Sequence, residues 1–282
     1  MRSPLVVSYG GGIDSLAMCI GLRARGERPD AIVFADTGGE KSETYAFMRD
    51  YVSPWLERVR FPQLTIVRRP DFGRSKTGDQ TLEDECLRLG TPPSRAFGFS
   101  TCADKWKIDP FNWWVRAAFE KWVEWPASAG WAGLTTPIVV CVGFEFGEEK
   151  RVSSFTERGQ LKRYPLIEWK WDRDACEAAI LGEGLPLPVK SACFFCPSST
   201  KNEVLWLAKN HPDLARRALA IESHANAQVD ENGRKRWSVL GLGRRFAWAD
   251  LIAADAASRE QFPDAPVEAC TKCNDGGCEV SP

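Results

Sequence analysis

Short apolar runs alternate along this chain with stretches whose apolar residues recur every three or four positions. "PLVVSY" (4–9) reads as a short buried strand, and "IDSLAMCIGLRARG" (13–26) has the helical period and ends at Gly26, a residue suited to a C-cap. "AIVFAD" (31–36) is a second buried strand. "SETYAFMRDYVSPWLERV" (42–59) is helical until Pro54 interrupts it, and "QLTIVRR" (63–69) is a third strand. Strand, helix, strand, helix, strand in this order predicts a parallel sheet with helices on both faces.

A polar segment rich in Gly, Pro and Ser (70–101) follows, with one short helix at 81–89. "DPFNWWVRAAFEKWVEW" (109–125) has an amphipathic helical pattern, "TPIVVCVGF" (136–144) is a buried strand, and "RYPLIEW" (163–169) reads as a short strand or extended segment. A helix closed by Gly covers 172–184. Two helices joined near Pro212 cover 200–227, the first opened by a Thr200/Glu203 capping box. A last helix is expected at about 244–257, and from residue 260 a tail rich in Pro, Gly and Cys looks irregular. The expectation is a doubly wound, mostly parallel α/β domain over 1–200. A helical C-terminal region with a Cys-rich tail (201–282) packs on it.

Composition narrows the classes. Of 282 residues 44% are hydrophobic and 27% charged, as in an ordinary soluble globular protein. A net charge of -1 gives no broad field toward nucleic acid or an anionic membrane, although a local basic patch remains compatible with it. No apolar run reaches the ~20 residues of a membrane span, and "MRSPLVVSYGGG" lacks the features of a secretory signal. A cytoplasmic protein is expected. Twelve tryptophans, several between 106 and 131, point to core packing before a nucleic-acid platform. Ten cysteines in a reducing compartment point to metal or redox chemistry more than to disulfides. Cys19, Cys86, Cys141 and Cys176 stand alone among apolar or helical residues and read as small buried hydrophobes. Cys102, the pair Cys193/Cys196 and the tail group Cys270, Cys273 and Cys278 remain as ligand candidates. A C-x-x-C turn can present two thiolates to one metal or cluster.

"SYGGGIDS" (8–15) joins the first strand to the first helix, where free N–H groups and the positive dipole end make an anion site. Glycines let those amides approach a phosphate. A Walker A loop needs Gly-Lys-Ser/Thr, and the Lys is missing. The dinucleotide fingerprint is matched at Gly10 and Gly12, with Ser15 at the third glycine and Asp36 as the ribose acid.

A third phosphate loop fits better. "GGGIDS" resembles the S-G-G-x-D-S loop of the PP-loop ATP pyrophosphatases, the adenine nucleotide alpha-hydrolase superfamily, through Gly11, Gly12, Asp14 and Ser15; Gly10 stands where that family has Ser. "FADTGGEKSETYAFMRD" (34–50) resembles the D-T-G…E-T-Y segment of the phosphoadenosine phosphosulfate (PAPS) reductase branch. "TCADKWKIDPF" (101–111) resembles its C-C-x-x-L-K-x-x-P stretch, with Ala103 at the second Cys. "VGFEFGEEKRV" (142–152), "RYPLIEWKWDRDAC" (163–176) and "SACFFCPSST" (191–200) follow in the family's order.

The resemblance implies a nucleotide site of Ser8, Tyr9, Gly10, Gly11, Gly12, Asp14, Ser15, Asp36, Thr37, Gly38 and Gly143. Asp14, Lys107 and Arg151 would be the catalytic groups. ATP or a related adenylyl nucleotide would bind with Mg²⁺. Cys102, Cys193 and Cys196 would hold a 4Fe–4S cluster, with Cys270 and Cys273 as further ligands; Zn²⁺ in the tail is the alternative. The implied activity is adenylation with pyrophosphate release, coupled to iron–sulfur-assisted sulfur transfer. Sulfite formation by a PAPS or adenylyl-sulfate reductase, with Cys278 as nucleophile, is one alternative. A nucleotide-sensing or nucleic-acid-modification subunit is the other. A sulfur donor, a thioredoxin-like reductant, a nucleic-acid substrate and a second copy of the chain are the partners to consider, and no membrane.

Overall fold

The computed structural model describes residues 2–73, 77–93, 100–119, 137–152, 159–228, 241–243 and 246–261. In chain order the first elements are β1 (Leu5–Tyr9), α1 (Ile13–Ala24), β2 (Ala31–Asp36), α2 (Ser42–Phe47), α3 (Ser53–Arg58), β3 (Leu64–Arg68) and α4 (Leu82–Leu89). Next come α5 (Thr101–Ala103), α6 (Asp109–Phe119), β4 (Ile138–Val142), β5 (Gln160–Arg163), α7 (Pro165–Glu168) and α8 (Arg173–Gly182). The last are α9 (Lys201–Asn210), α10 (Pro212–Ala227) and α11 (Trp248–Gln261).

The five strands form one all-parallel sheet in the order β3-β2-β1-β4-β5. Alternation along β1 explains how the sheet fills both faces. Val7 and Tyr9 enter a first core with Leu16, Met18 and Leu22 of α1, Trp55 of α3 and Ile180 of α8. Val6, Val33 of β2 and Val140 of β4 enter a second core against Phe111, Val115 and Phe119 of α6. Helices thus cover both faces, as a doubly wound fold requires. A third core joins Leu82 and Cys86 of α4, Trp106, Phe194 and Phe195 to Val204, Leu207, Ala218, Ile221 and Trp248. The C-terminal helices therefore share a core with the segment that ends near residue 200.

Two expectations need correcting. The chain stays helical through Pro54, because a wider π-type turn at Met48–Val52 lies between α2 and α3. That turn leaves Pro54 in the first turn of α3, where an N–H has no helical partner to lose. "RYPLIEW" is strand only at its first residue: β5 covers Gln160–Arg163, and Pro165 opens the single turn α7. Among the described residues no helix is long and apolar enough to cross a membrane.

Strands β1 to β3 march one way and β4 returns to the other side of β1, so the order reverses between β1 and β4. Ligands of open α/β sheets sit outside the carboxyl ends of the strands at such a reversal. The loops after β1, β2 and β4 all emerge at this end.

Candidate functional site

The glycine loop is held in a shape that side chains would oppose. Gly11 has φ +81°, and a Cβ there would come within 3.1 Å of Ser191 Oγ and of a Thr44 methyl. Gly12 occupies the N-cap of α1 and offers no side-chain acceptor, so the first-turn amides of α1 are not capped by it. The Ser15 hydroxyl donates back to the Gly12 carbonyl at 3.0 Å. Gly143, at the end of β4, lies against the same turn: a Cβ there would be 3.1 Å from the Asp14 carbonyl oxygen. Ser8 pairs with Val33 and Val142 within the sheet. Tyr9 is 2% exposed in the first core, which places its ring in packing and not in the loop.

The turn after β2 is closed by its own acid. Asp36 is buried and accepts from the Gly38 amide (2.8 Å), the Tyr45 hydroxyl (2.6 Å) and the Arg68 guanidinium (2.9 Å). Its carboxylate therefore shapes the turn. The Thr37 hydroxyl lies 3.1 Å from Cys193 Sγ, and the Thr37 carbonyl accepts from Leu82 N at 3.0 Å. Main-chain contacts dock the C-x-x-C turn on this loop: Glu40 and Cys193 form an antiparallel bridge, and Phe194 N donates to the Gly39 carbonyl at 2.8 Å. The C-x-x-C turn closes through Cys196 N to the Cys193 carbonyl at 3.0 Å.

Glu40, which the motifs did not single out, sits at the centre. Its side chain is 0% exposed. It accepts from Lys107 Nζ at 3.0 Å and from the Ser191 hydroxyl at 3.1 Å. Ser191 Oγ also lies 2.7 Å from the Gly10 carbonyl. One carboxylate and one hydroxyl thus join the glycine loop, the turn after β2, the Lys107 segment and the approach to the C-x-x-C. Lys107 comes from a π-type turn, Asp104–Ile108, set between α5 and α6. Burial works against its charge, but Glu40 outweighs burial and raises its pKa. Burial pushes the Cys193 thiol up to about 12, against the opposing pull of Lys107.

On the β4 side the charges form a second network. Arg173, the first residue of α8, lies 3.1 Å from Asp14 Oδ1 and 3.1 Å from Glu145 Oε2. Both oxygens are buried and neither has an aligned hydrogen bond. Burial raises the pKa of Asp14 and of Glu145, and Arg173 opposes it in each case. Arg151 is half-exposed, pairs with Glu148 at 2.6 Å and lies 4.2 Å over the Phe144 ring, which stacks on Tyr164.

The residues expected from sequence thus fall into two joined groups. Gly10 to Ser15, Asp36 to Gly38, Lys107, Cys193 and Gly143 gather directly at the strand ends, and Arg151 stands beside the Asp14 network. Cys102 packs on the third core together with Cys193. Cys270, Cys273 and Cys278 lie outside the described residues. Among the described residues no three His, Cys, Asp or Glu side chains converge as a single-ion site. Glu40, Ser191, Arg173 and Glu145 are the additions that structure makes. Their sequence signal was position alone, inside or beside quoted motifs.

Fold and site together define an open parallel α/β protein with a glycine-lined loop at the sheet reversal and a cysteine turn docked beside it. No known family model and no curated protein matches the chain.

Proposed function

We propose that the chain is a PP-loop-type enzyme that binds ATP or a related adenylyl nucleotide with Mg²⁺. It transfers the adenylyl group to an acceptor, releases pyrophosphate, and couples this to iron–sulfur-assisted sulfur transfer. The observation that carries the reading is the Ser191 hydroxyl between the Gly10 carbonyl and Glu40, which joins the phosphate loop to the cysteine turn.

In this reading the uncapped amides at the start of α1 receive the pyrophosphate. A bond forms from the acceptor to the α-phosphorus as the bond to the pyrophosphate oxygen breaks, and the electron pair stays on pyrophosphate. Preorganised amides stabilise that charge at little reorganisation cost. Lys107 exchanges its pair with Glu40 for phosphate oxygens, and Arg151 does the same with Glu148. Asp14 and Glu145 offer carboxylate oxygens to a divalent cation, which would take the place of Arg173 between them. Cys102, Cys193 and Cys196 would hold the cluster, and both Cys102 and Cys193 line one apolar core that limits water there. When bound, such a cluster supplies electron transfer or an iron for sulfur.

The test is an anaerobic preparation titrated with Mg-ATP by calorimetry and assayed for pyrophosphate and sulfite. Saturable ATP binding that weakens at least tenfold in Lys107→Ala is expected, about 1.4 kcal/mol. Sulfite formation from an adenylyl sulfate would replace adenylation by reductase chemistry. Absence of binding to every adenine nucleotide would sink the reading altogether.

A further inference from the structure

The fold brings a fourth cysteine to the three discussed above. Cys86, one of the cysteines that stand alone in the sequence, lies within α4 and is 3% exposed. It belongs to the third core with Leu82, Trp106, Phe194 and Phe195, and Cys102 and Cys193 pack against that same core. Two features fix α4 beside the turn after β2. The Leu82 amide donates to the Thr37 carbonyl at 3.0 Å, and Thr81 lies against Gly38. Thr37 in turn touches Cys193 Sγ. Cys196 closes the same turn as Cys193, its amide donating to the Cys193 carbonyl at 3.0 Å. The remaining described cysteines, Cys19, Cys141 and Cys176, lie in the first core.

The number of segments that supply the set bears on the metal. A tetrahedral ion with bonds of about 2.3 Å draws its thiolates to within about 3.8 Å of each other. No such convergence occurs among the described residues. A cubane takes one thiolate at each of four corners and so accepts a wider set. Four cysteines from three segments, α4, α5 and the C-x-x-C turn, suit that shape.

The geometry points to Cys86 as the fourth protein ligand of the iron–sulfur site, filling the vacancy that Ala103 leaves in the paired-cysteine pattern. This rests on the cluster reading above and extends it. With four protein thiolates no iron is left open for substrate sulfur, and the tail cysteines Cys270, Cys273 and Cys278 are not required as ligands.

The test reconstitutes the full-length chain anaerobically with iron and sulfide and reads metal content and electron paramagnetic resonance. Wild type is expected to hold about four irons and four sulfides per chain. The Cys270→Ala/Cys273→Ala/Cys278→Ala variant should hold the same, as should Cys141→Ala, an equally buried cysteine of another core. Cys86→Ala should fall to three irons or fewer with a changed resonance, and Cys86→Ser should load with a shifted one. Circular dichroism and melting of the apo variants check the fold. Full loading of Cys86→Ala with an unchanged resonance overturns the proposal and leaves the cluster reading standing. Loss of iron in the tail variant overturns it even where position 86 tolerates no change. An iron-free wild type ends both.

Discussion

Glu40 and Glu222 are both carboxylates with almost no solvent contact, and they are held in different ways. Glu222 of α10 accepts from three backbone amides: Leu242 at 2.6 Å, Trp248 at 2.9 Å and Ala249 at 2.9 Å. Two of those amides open α11, so the side chain caps that helix from outside. Glu40 accepts from side chains, the Lys107 ammonium and the Ser191 hydroxyl. Backbone amides cannot leave without unfolding an element. Side-chain donors can turn to a ligand. Glu222 is therefore scaffold, while Glu40 holds a cation that, in the proposed function, passes to phosphate.

Breaking the scaffold member should cost most. Glu222→Ala leaves three amides without their acceptor, and a buried unsatisfied group costs about 1–3 kcal/mol. A loss near 3 kcal/mol is expected in urea unfolding, with cleavage by protease appearing first between 241 and 261. A loss under 1 kcal/mol would mean that the cap does not hold α11.

Gly143→Val tests the site side. Its Cβ would press on the Asp14 carbonyl at 3.1 Å, so the first turn of α1 must shift. Overpacking of this kind costs about 1–3 kcal/mol. Mg-ATP affinity should fall at least tenfold. Undiminished affinity would place the nucleotide away from this turn.

Glu40→Gln addresses the exchange itself. Gln keeps the shape and the acceptor for Ser191 but gives up the charge that holds Lys107. Mg-ATP should bind about threefold more tightly, roughly 0.7 kcal/mol, because Lys107 no longer has to leave a carboxylate. Unchanged affinity in both Glu40→Gln and Lys107→Ala would make Glu40 a scaffold residue like Glu222.

Much of the fold was legible because it rests on local patterns. The apolar runs gave β1 to β4 within two residues, and the helical periods gave α1, α8, α9 and α10. The Thr200/Glu203 capping box is present as read. What failed locally was Pro54, where a π-type turn absorbs the missing donor, and β5, a strand with only Gln160 buried. The site was half legible. Glycines and a C-x-x-C announce themselves by spacing. Ser191 reaches Glu40 across 151 residues and Gly10 across 181, Arg173 joins the start of α8 to Asp14 of α1, and no spacing rule reaches that far. Cys86 read as a small hydrophobe because its neighbours in sequence are helical, while in space it shares a core with Cys102 and Cys193.

A third carboxylate lies between the two cases and sharpens the contrast. Glu203 accepts from one backbone amide, Thr200 N at 2.8 Å, and pairs with one side chain, Lys190 at 2.8 Å. Burial raises its pKa, but Lys190 and the Thr200 groups outweigh burial and hold it below the ordinary value. A carboxylate lowered in the folded state contributes stability above its unfolded pKa, about 4.3 for Glu. That contribution is lost as pH falls through the folded value. Glu203→Gln keeps the capping geometry and removes the charge, so its cost should be about 0.5 kcal/mol at pH 7. The gap from wild type should close below about pH 4. Unfolding curves at several pH values measure it. A gap that widens toward low pH would mean that the acid form is the one the fold prefers, and that the backbone amide and Lys190 together hold less than burial costs.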